Sequence, residues 1–261
     1  MSGFDTTWLD LREPADHAAR DRSLLDAARA HLRSAGSTPL AVDLGSGTGS
    51  TLRAFGADVP IRWRLVDHDP RLLEAAVSRL GGFGDVERME ADLADLSPAV
   101  VAGARLITAS ALFDLASQAL VERVAEILAV ERIGLYAALN YDGRMEWDPP
   151  LEGDVAVLGA FNAHQTGDKG LGPALGPGAA RALRIAFEAR GYSVRTVPSP
   201  WRLGPADKPL HDALLGGFVG AVKETGQVEA ARLAEWAEAR RTGTTACQVG
   251  HWDVLALPPA G

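Results

Sequence analysis

Short apolar runs alternate with longer segments in which apolar side chains recur every three or four positions through the first 140 residues. Such runs are typical of buried parallel strands, and the longer period is typical of amphipathic helices. The alternation predicts right-handed βαβ units, and therefore a parallel sheet with helices on both faces. Strands are predicted at 40–44, 61–66, near 86–90, 104–109 and 133–139. Helices are predicted at 13–35, about 48–56, 71–80, near 95–102 and 116–131.

The alternation stops after residue 140. Residues 141–178 contain eight glycines and four prolines without a sustained period, which predicts a long irregular segment of the kind that often carries function. A helix over 178–190, a strand over 192–197, helical residues over 206–241 and a last strand over 244–257 follow. We interpret the whole, 1–261, as one domain. Its parts are a cofactor-binding core at 40–140, an N-terminal lid helix at 13–35, and substrate or lid insertions at 141–178 and 206–241.

The composition narrows the function classes. The net charge is −8 without a dense basic cluster, so nucleic acid is not an expected partner. The chain has no apolar run long enough to cross a membrane and no signal-peptide pattern at its start, and it has a single cysteine, Cys247. These features lead us to expect a cytoplasmic location. We expect no metal site, because histidines such as His211 and His251 lack the spacing of metal ligands.

A glycine-rich turn follows the strand at 40–44, as Gly45-Ser46-Gly47-Thr48-Gly49. Glycines let the backbone turn sharply and approach a ligand, and the helix that follows presents free N–H groups. This arrangement predicts a nucleotide-cofactor site. The dinucleotide pattern G-x-G-x-x-G fits less well, because Ser50 stands at the position of its last small residue.

Val42–Gly49 resembles the first motif of class I S-adenosylmethionine-dependent methyltransferases at every position. Three more segments resemble that family in the same order: Asp67 at the end of the second strand, 90–93 after the third, and 106–114 at the end of the fourth. The resemblance implies a doubly wound, Rossmann-like α/β sheet of seven mostly parallel strands with an antiparallel last strand. It also implies transfer of a methyl group from S-adenosylmethionine to an oxygen or nitrogen of a small molecule, a carboxylate included, leaving S-adenosylhomocysteine.

The resemblance also assigns roles to residues. Asp67 is expected to bind both ribose hydroxyls of the cofactor. The alternative is that Asp67 caps the next helix, but Asp69 suits that role better because it directly precedes Pro70. Asp92 is expected to bind the adenine amino group, and Ser110 to lie beside the sulfonium. The complete set of expected cofactor-binding residues is Asp43, Gly45, Ser46, Gly47, Gly49, Asp67, His68, Asp92, Leu93 and Ser110.

Catalytic candidates come after the fifth strand, where ligands lie in open α/β sheets. Tyr141 and Asp142 follow that strand directly, although Asp142 also suits a turn with Gly143. His164 has a side chain suited to general base catalysis near neutral pH, or is an ordinary loop residue. Lys169 suits a substrate carboxylate or a solvated turn.

Three alternatives stay open at this point. The chain is also compatible with a nicotinamide oxidoreductase, with an enzyme that uses S-adenosylmethionine without methyl transfer, and with a cofactor-binding regulator. A DNA methylase is not expected, because the net charge is negative and because Asp148-Pro149-Pro150 lacks the aromatic residue of the D-P-P-aromatic element and follows the fifth strand instead of the fourth. The expected partner is a small-molecule substrate, and the chain itself is expected to be a monomer or a homodimer.

Overall fold

The computed structural model describes residues 5–36, 38–58, 60–80 and 84–259. The first four residues, which bear on the expected absence of a signal peptide, lie outside this set. The strands are β1 (Leu40–Leu44), β2 (Arg62–Asp67), β3 (Val86–Glu90), β4 (Ala104–Ser110), β5 (Gly134–Asp148), β6 (Ser193–Pro198), β7 (Trp201–Leu203) and β8 (Ala246–Leu257). The helices are α1 (Thr6–Ala19), α2 (Arg22–Arg33), α3 (Ser50–Phe55), α4 (Pro70–Ser78), α5 (Pro98–Val101), α6 (Gln118–Glu131), α7 (Asp154–Gln165), α8 (Ala179–Glu188), α9 (Lys208–Thr225) and α10 (Ala230–Gly243).

Seven strands form one sheet in the order β3-β2-β1-β4-β5-β8-β6. The pairs among β1 to β5 are parallel, and β8 runs antiparallel between β5 and β6. This order confirms the expected doubly wound sheet with an antiparallel last strand. The short strand β7, which pairs with the first residues of β8, was not predicted.

Apolar side chains cover both faces of the sheet, because successive residues of a strand point to opposite sides. Val42 and Leu44 of β1 pack in one cluster with residues of α6 and α8. Ala41 packs in another cluster with residues of α2, α3 and α4. The sheet is therefore covered by helices on both faces, as predicted.

The prediction of one helix over 13–35 was wrong. Two helices, α1 and α2, meet at Arg20, whose backbone is extended with φ −52° and ψ 132°. The next residue, Asp21, caps α2 by accepting a hydrogen bond from Leu24 N at 2.9 Å, and its own N–H donates to the Asp253 carboxylate at 2.9 Å. An aspartate in this position ends one helix and begins another, because its side chain satisfies a free N–H of the new helix.

The prediction of an irregular segment over 141–178 was also wrong. Strand β5 continues to Asp148 against the extended β8, with irregular pairing between Ala137 and Asn140 and between Tyr141 and Met145. The helix α7 follows within the same segment. Gly143, with φ 86°, lies at the second irregularity, and its freedom to adopt this backbone lets the strand continue instead of ending.

A third apolar cluster forms outside the sheet from β5, β7, β8, α7, α9 and α10. Trp147 meets Phe218 and Trp236 edge-to-face, with ring centroids 5.6 and 5.3 Å apart. This cluster, which we call the outer cluster, contains helices from the segments 141–178 and 206–241. None of the helices that the structure describes is long and apolar enough to cross a membrane.

Candidate functional site

A cavity of about 290 Å³ lies at the carboxyl ends of β1, β2 and β4 and beside the residues that follow β3. Parallel strands end at the same edge of their sheet, so the turns after them come together there. Helix α1 and the loop after α7 complete its walls. The residues that line it are Leu9, Arg12, Gly45, Gly47, Asp67, His68, Leu72, Asp92, Leu93, Ser110, Ala111, Leu112, Leu115, Lys169, Gly170 and Leu171.

Two glycines of the turn pack closely against side chains from other parts of the cavity wall. Gly45 and Gly47 have φ 63° and 52°, a region that residues with a side chain rarely adopt. A Cβ on Gly45 would lie 3.2 Å from Leu112 Cδ1, and one on Gly47 would lie 3.3 Å from Leu9 Cδ1. Both glycines therefore keep space open for a ligand. Gly49 does not line the cavity; a Cβ there would meet the Ala76 methyl at 3.4 Å, so it brings α3 close to α4.

Asp67 ends β2 with its carboxylate beside the glycine turn. Its Oδ2 accepts a hydrogen bond from Gly47 N at 2.8 Å, and its Oδ1 accepts one from Asp69 N at 3.0 Å. Each carboxylate oxygen has a second lone pair and can accept a further hydrogen bond. His68 also lines the cavity, and its Nδ1 lies 3.3 Å from Asp67 Oδ1. Asp69 caps α4 by accepting from Arg71 N.

Asp92 and Leu93 form the part of the wall that follows β3. Asp92 Oδ1 accepts a hydrogen bond from Ala94 N at 2.9 Å, which caps a 3₁₀ turn that begins at Leu93. The first N–H group of such a turn has no hydrogen-bond partner within the turn itself. The exposed Asp92 carboxylate and the Leu93 backbone therefore offer an acceptor and a donor next to each other.

A smaller hollow continues from this cavity along the glycine turn to the first residues of α3. It shares Leu9, Arg12, Gly45, Gly47 and Ser110 with the main cavity. It adds polar side chains, and Ser46 Oγ has no hydrogen-bond partner among the described residues. The added residues are Asp16, Ser46, Thr48, Ser50 and Thr51.

Two arginines from the N-terminal region border this hollow. Arg12 holds Asp16 with two hydrogen bonds of 2.9 and 3.2 Å, and its guanidinium lies 5.2 Å from the ring centroid of Trp201. Arg20 is 4% exposed and donates to Ser110 Oγ at 3.1 Å. The sequence analysis missed both. For Arg12 the available signal was its spacing of four from Asp16, which places both on one helix face; Arg20 lies just after the end of α1.

Asp43 is buried at the end of β1 and does not line the cavity. Its Oδ1 accepts a hydrogen bond from the Thr108 hydroxyl at 2.7 Å, and its Oδ2 has no partner among the described residues. Burial raises the pKa of the Asp43 carboxyl to about 7.

The structure does not place Tyr141, Asp142 or His164 in the cavity wall. Tyr141 is buried, donates to Asn162 Oδ1 at 2.9 Å, and has a raised pKa because of burial. The Asp142 carboxylate accepts hydrogen bonds from Arg144 N and Nε, each at 2.9 Å. β5 continues past both residues against β8, so Tyr141 packs beside Phe161 and His251, and the Asp142 carboxylate lies over Gly250 of β8.

His164 lies behind the cavity wall, where it contacts Lys169, a residue of that wall. Its Nδ1 is 2.9 Å from Lys169 Nζ, and its Nε2 is 2.9 Å from Glu224 Oε2. An ammonium group only donates, so the two contacts are both satisfied by the tautomer in which Nδ1 accepts from Lys169 and Nε2 donates to Glu224. His164 therefore orients Lys169, which lines the cavity.

No model of a known protein family matches the chain, and neither does any curated protein. Solved structures do match. The YcgJ protein from Bacillus subtilis is 13% identical, with 92% of this chain and 100% of that chain covered and a TM-score of 0.53. The cyclopropane synthase MmaA2 from Mycobacterium tuberculosis is 13% identical, with 97% and 94% covered and a TM-score of 0.52.

A third matching structure, from Bacillus halodurans, was described as that of a proposed methyltransferase. It is 11% identical, with 91% of this chain and 100% of that chain covered and a TM-score of 0.53. At these identities the likeness is one of fold. Together with the strand order, it shows that the chain has the fold of the class I methyltransferases that its sequence resembles.

Proposed function

We propose that this protein binds S-adenosylmethionine and transfers its methyl group to a small-molecule acceptor. One observation carries the proposal. The four segments that resemble the methyltransferase motifs, which are spread from residue 42 to residue 114, converge on one cavity. Seven of the ten residues expected to bind the cofactor line it: Gly45, Gly47, Asp67, His68, Asp92, Leu93 and Ser110.

The residues present fit the nucleoside part of the cofactor. Asp67 has one free lone pair on each oxygen, enough for two ribose hydroxyls. Asp92 offers an acceptor for the adenine amino group, and Leu93 offers the adjacent N–H. A side chain at Gly45 or Gly47 would fill the space between them and the opposite wall.

The smaller hollow fits the methionine part. Its ammonium would find the Asp16 carboxylate, and its carboxylate would find the Ser46 hydroxyl and the Arg12 guanidinium, which also holds Asp16. When bound, S-adenosylmethionine would supply a methyl carbon on a positively charged sulfur. A lone pair of the acceptor forms a bond to that carbon, and the sulfur keeps the electrons of the carbon–sulfur bond that breaks. Ser110 and Ala111 line the cavity between the nucleoside and methionine parts, so we assign the acceptor to that region.

The residues of the wall position two reactants and exclude water, which is the main task of an enzyme in such a displacement. Leu9, Leu112 and Leu115 give this region an apolar lining. General base catalysis by His164, Tyr141 or Asp142 remains a prediction from sequence. The proposal does not depend on it, because an ionised carboxylate acceptor needs no base.

The test of cofactor binding is calorimetric titration with S-adenosylhomocysteine. Asp67→Ala should weaken binding by about 1–3 kcal/mol, the scale of hydrogen bonds to a charged group. Asp95→Ala is the matched control, because Asp95 is an exposed carboxylate two residues from Leu93 that does not line the cavity. Unchanged affinity in Asp67→Ala, or binding of NADH in place of S-adenosylhomocysteine, would contradict the proposal.

The test of the reaction is mass spectrometry of products after incubation with S-adenosylmethionine and a panel of carboxylates, phenols and amines. A gain of one methyl group on an acceptor supports methyl transfer. Release of methylthioadenosine without a methylated product would instead support the alternative chemistry.

A further inference from the structure

The loop between α7 and α8 is fixed against the turn that follows β4. Leu175 N donates to Ala116 O at 2.8 Å, Gly176 N donates to Asp114 O at 2.9 Å, and Ala174 pairs with Ser117 in an isolated bridge. The turn after β4 supplies Leu112 and Leu115 to the cavity wall. The loop therefore holds Lys169 at the cavity by several backbone contacts, which distinguishes it from a solvated surface lysine.

The hydrogen-bond partner of Lys169 is a histidine. Lys169 Nζ lies 2.9 Å from His164 Nδ1 and 3.4 Å from His164 Nε2, and Glu224 Oε2 contacts that Nε2 at 2.9 Å. Within the part of the chain that the structure describes, no carboxylate lies within ion-pair distance of Lys169 Nζ. Burial lowers the pKa of Lys169. Glu224 offsets this effect only in part, through the imidazole that separates it from Lys169. A partly buried ammonium without a directly paired carboxylate is unfavourable, and an anion in the cavity would relieve this cost.

The cofactor does not provide that anion. Its one carboxylate is assigned above to Arg12 and the hydroxyl groups of the smaller hollow. The nucleoside part is matched by acceptors, Asp67 and Asp92, and carries no negative charge for Lys169 to bind. The Lys169 ammonium, which no carboxylate of the described residues pairs directly, is therefore left for the second reactant.

We infer that the methyl acceptor is a small anion, bearing a carboxylate or a phosphate, which the Lys169 ammonium binds. In this inference His164 and Glu224 are positioning residues that orient the ammonium toward the cavity. The inference rests on the proposed function, and it names the substrate class of the same site.

The experiment uses the full chain and a panel of small carboxylates and phosphates, each paired with its neutral amide or alcohol. Formation of S-adenosylhomocysteine measures turnover, and thermal unfolding of the protein saturated with S-adenosylhomocysteine measures binding. The two kinds of anion form separate arms. We expect one arm to be turned over or bound in preference to its neutral counterparts.

Variants then assign this preference to Lys169. Lys169→Met should raise the KM or Kd of the preferred anion about tenfold or more, the scale of losing a charge-assisted hydrogen bond. Its affinity for S-adenosylhomocysteine should stay within about twofold of wild type. Lys223→Met removes the same charge from an exposed lysine of α9 and should change neither value. His164→Ala should raise the KM of the anion, and His164→Asn should restore part of the loss, because its amide oxygen can accept from Nζ.

Three results would overturn the inference while leaving the proposed function intact. The first is a preference for the neutral acceptors. The second is that Lys169→Met and wild type respond alike to every member of the panel. The third is that Lys169→Met loses affinity for S-adenosylhomocysteine, which would assign Lys169 to the cofactor. A wild-type chain that does not bind S-adenosylhomocysteine would instead reject the proposed function itself.

Discussion

At the scale of single residues, Asp43 shows how a motif residue can act without touching the cavity. Its carboxyl is buried with one oxygen unpartnered, and burial raises its pKa to about 7, from an ordinary value near 3.8. Between these values the unfolded chain has lost the proton and the folded protein keeps it, so stability is lost as pH rises through this range. The Thr108 hydroxyl offsets only part of this cost. The sequence motif identifies the position of Asp43, and the buried environment of its carboxyl group determines how that group affects stability.

The prediction concerns Asp43→Asn, which has no proton to lose. The free energy of unfolding of wild type, relative to this variant, should fall as pH rises from about 4 to about 7 and be constant above that. Urea denaturation of both proteins at several pH values measures the difference, and other titrating groups cancel in the comparison. Two parallel curves would show that Asp43 does not keep its proton in the folded protein.

At the scale of elements, the sequence was most informative where one physical signal dominates. β1 begins and ends where its apolar run predicts, and Asp67, Asp92 and Ser110 follow from the ends of strands. The segment 141–178 was misjudged because its glycines and prolines mask a strand that bends at Gly143 and a helix whose neighbours come from distant sequence. Arg12 and Lys169 were not assigned with the cofactor residues for the same reason, since only the packing of α1 and of the loop brings them to the cavity.

The outer cluster depends on an ion pair that sequence alone does not identify. Arg240 of α10 is 1% exposed; it pairs with Asp154 at the start of α7, donates to Pro149 O at 2.6 Å, and lies 5.0 Å from the Trp147 ring centroid. Asp154→Ala should destabilise the protein by about 3 kcal/mol, because it leaves a buried guanidinium without its carboxylate. The control Asp212→Ala breaks the exposed pair with Lys208 and should cost at most about 1 kcal/mol. Equal midpoints of urea unfolding for the two variants would show that the outer cluster does not depend on this pair.

At the scale of the whole molecule, the cavity joins parts of the chain that otherwise belong to different layers. The strand ends form its floor, α1 contributes Leu9 and Arg12, and the loop after α7 contributes Lys169. A ligand that fills the cavity therefore contacts the sheet and both covering elements at once. Since a ligand stabilises the conformations that bind it, these covering elements should open less often when the site is filled.

Hydrogen exchange measures this coupling directly. With S-adenosylhomocysteine at about 100 times its Kd, the folded state gains about 2.7 kcal/mol. Amides of 6–19 and 167–175 should exchange more slowly than in the free protein, because Leu9, Arg12, Lys169 and Gly170 line the cavity. Helix α8 contributes no residue to the cavity wall and is the internal reference. If α1 and α8 slowed by the same factor, binding would stabilise the molecule only globally, and α1 would not be a wall of the cofactor site. Selective slowing of α1 and the loop, absent with NADH, would show that they close over this ligand together.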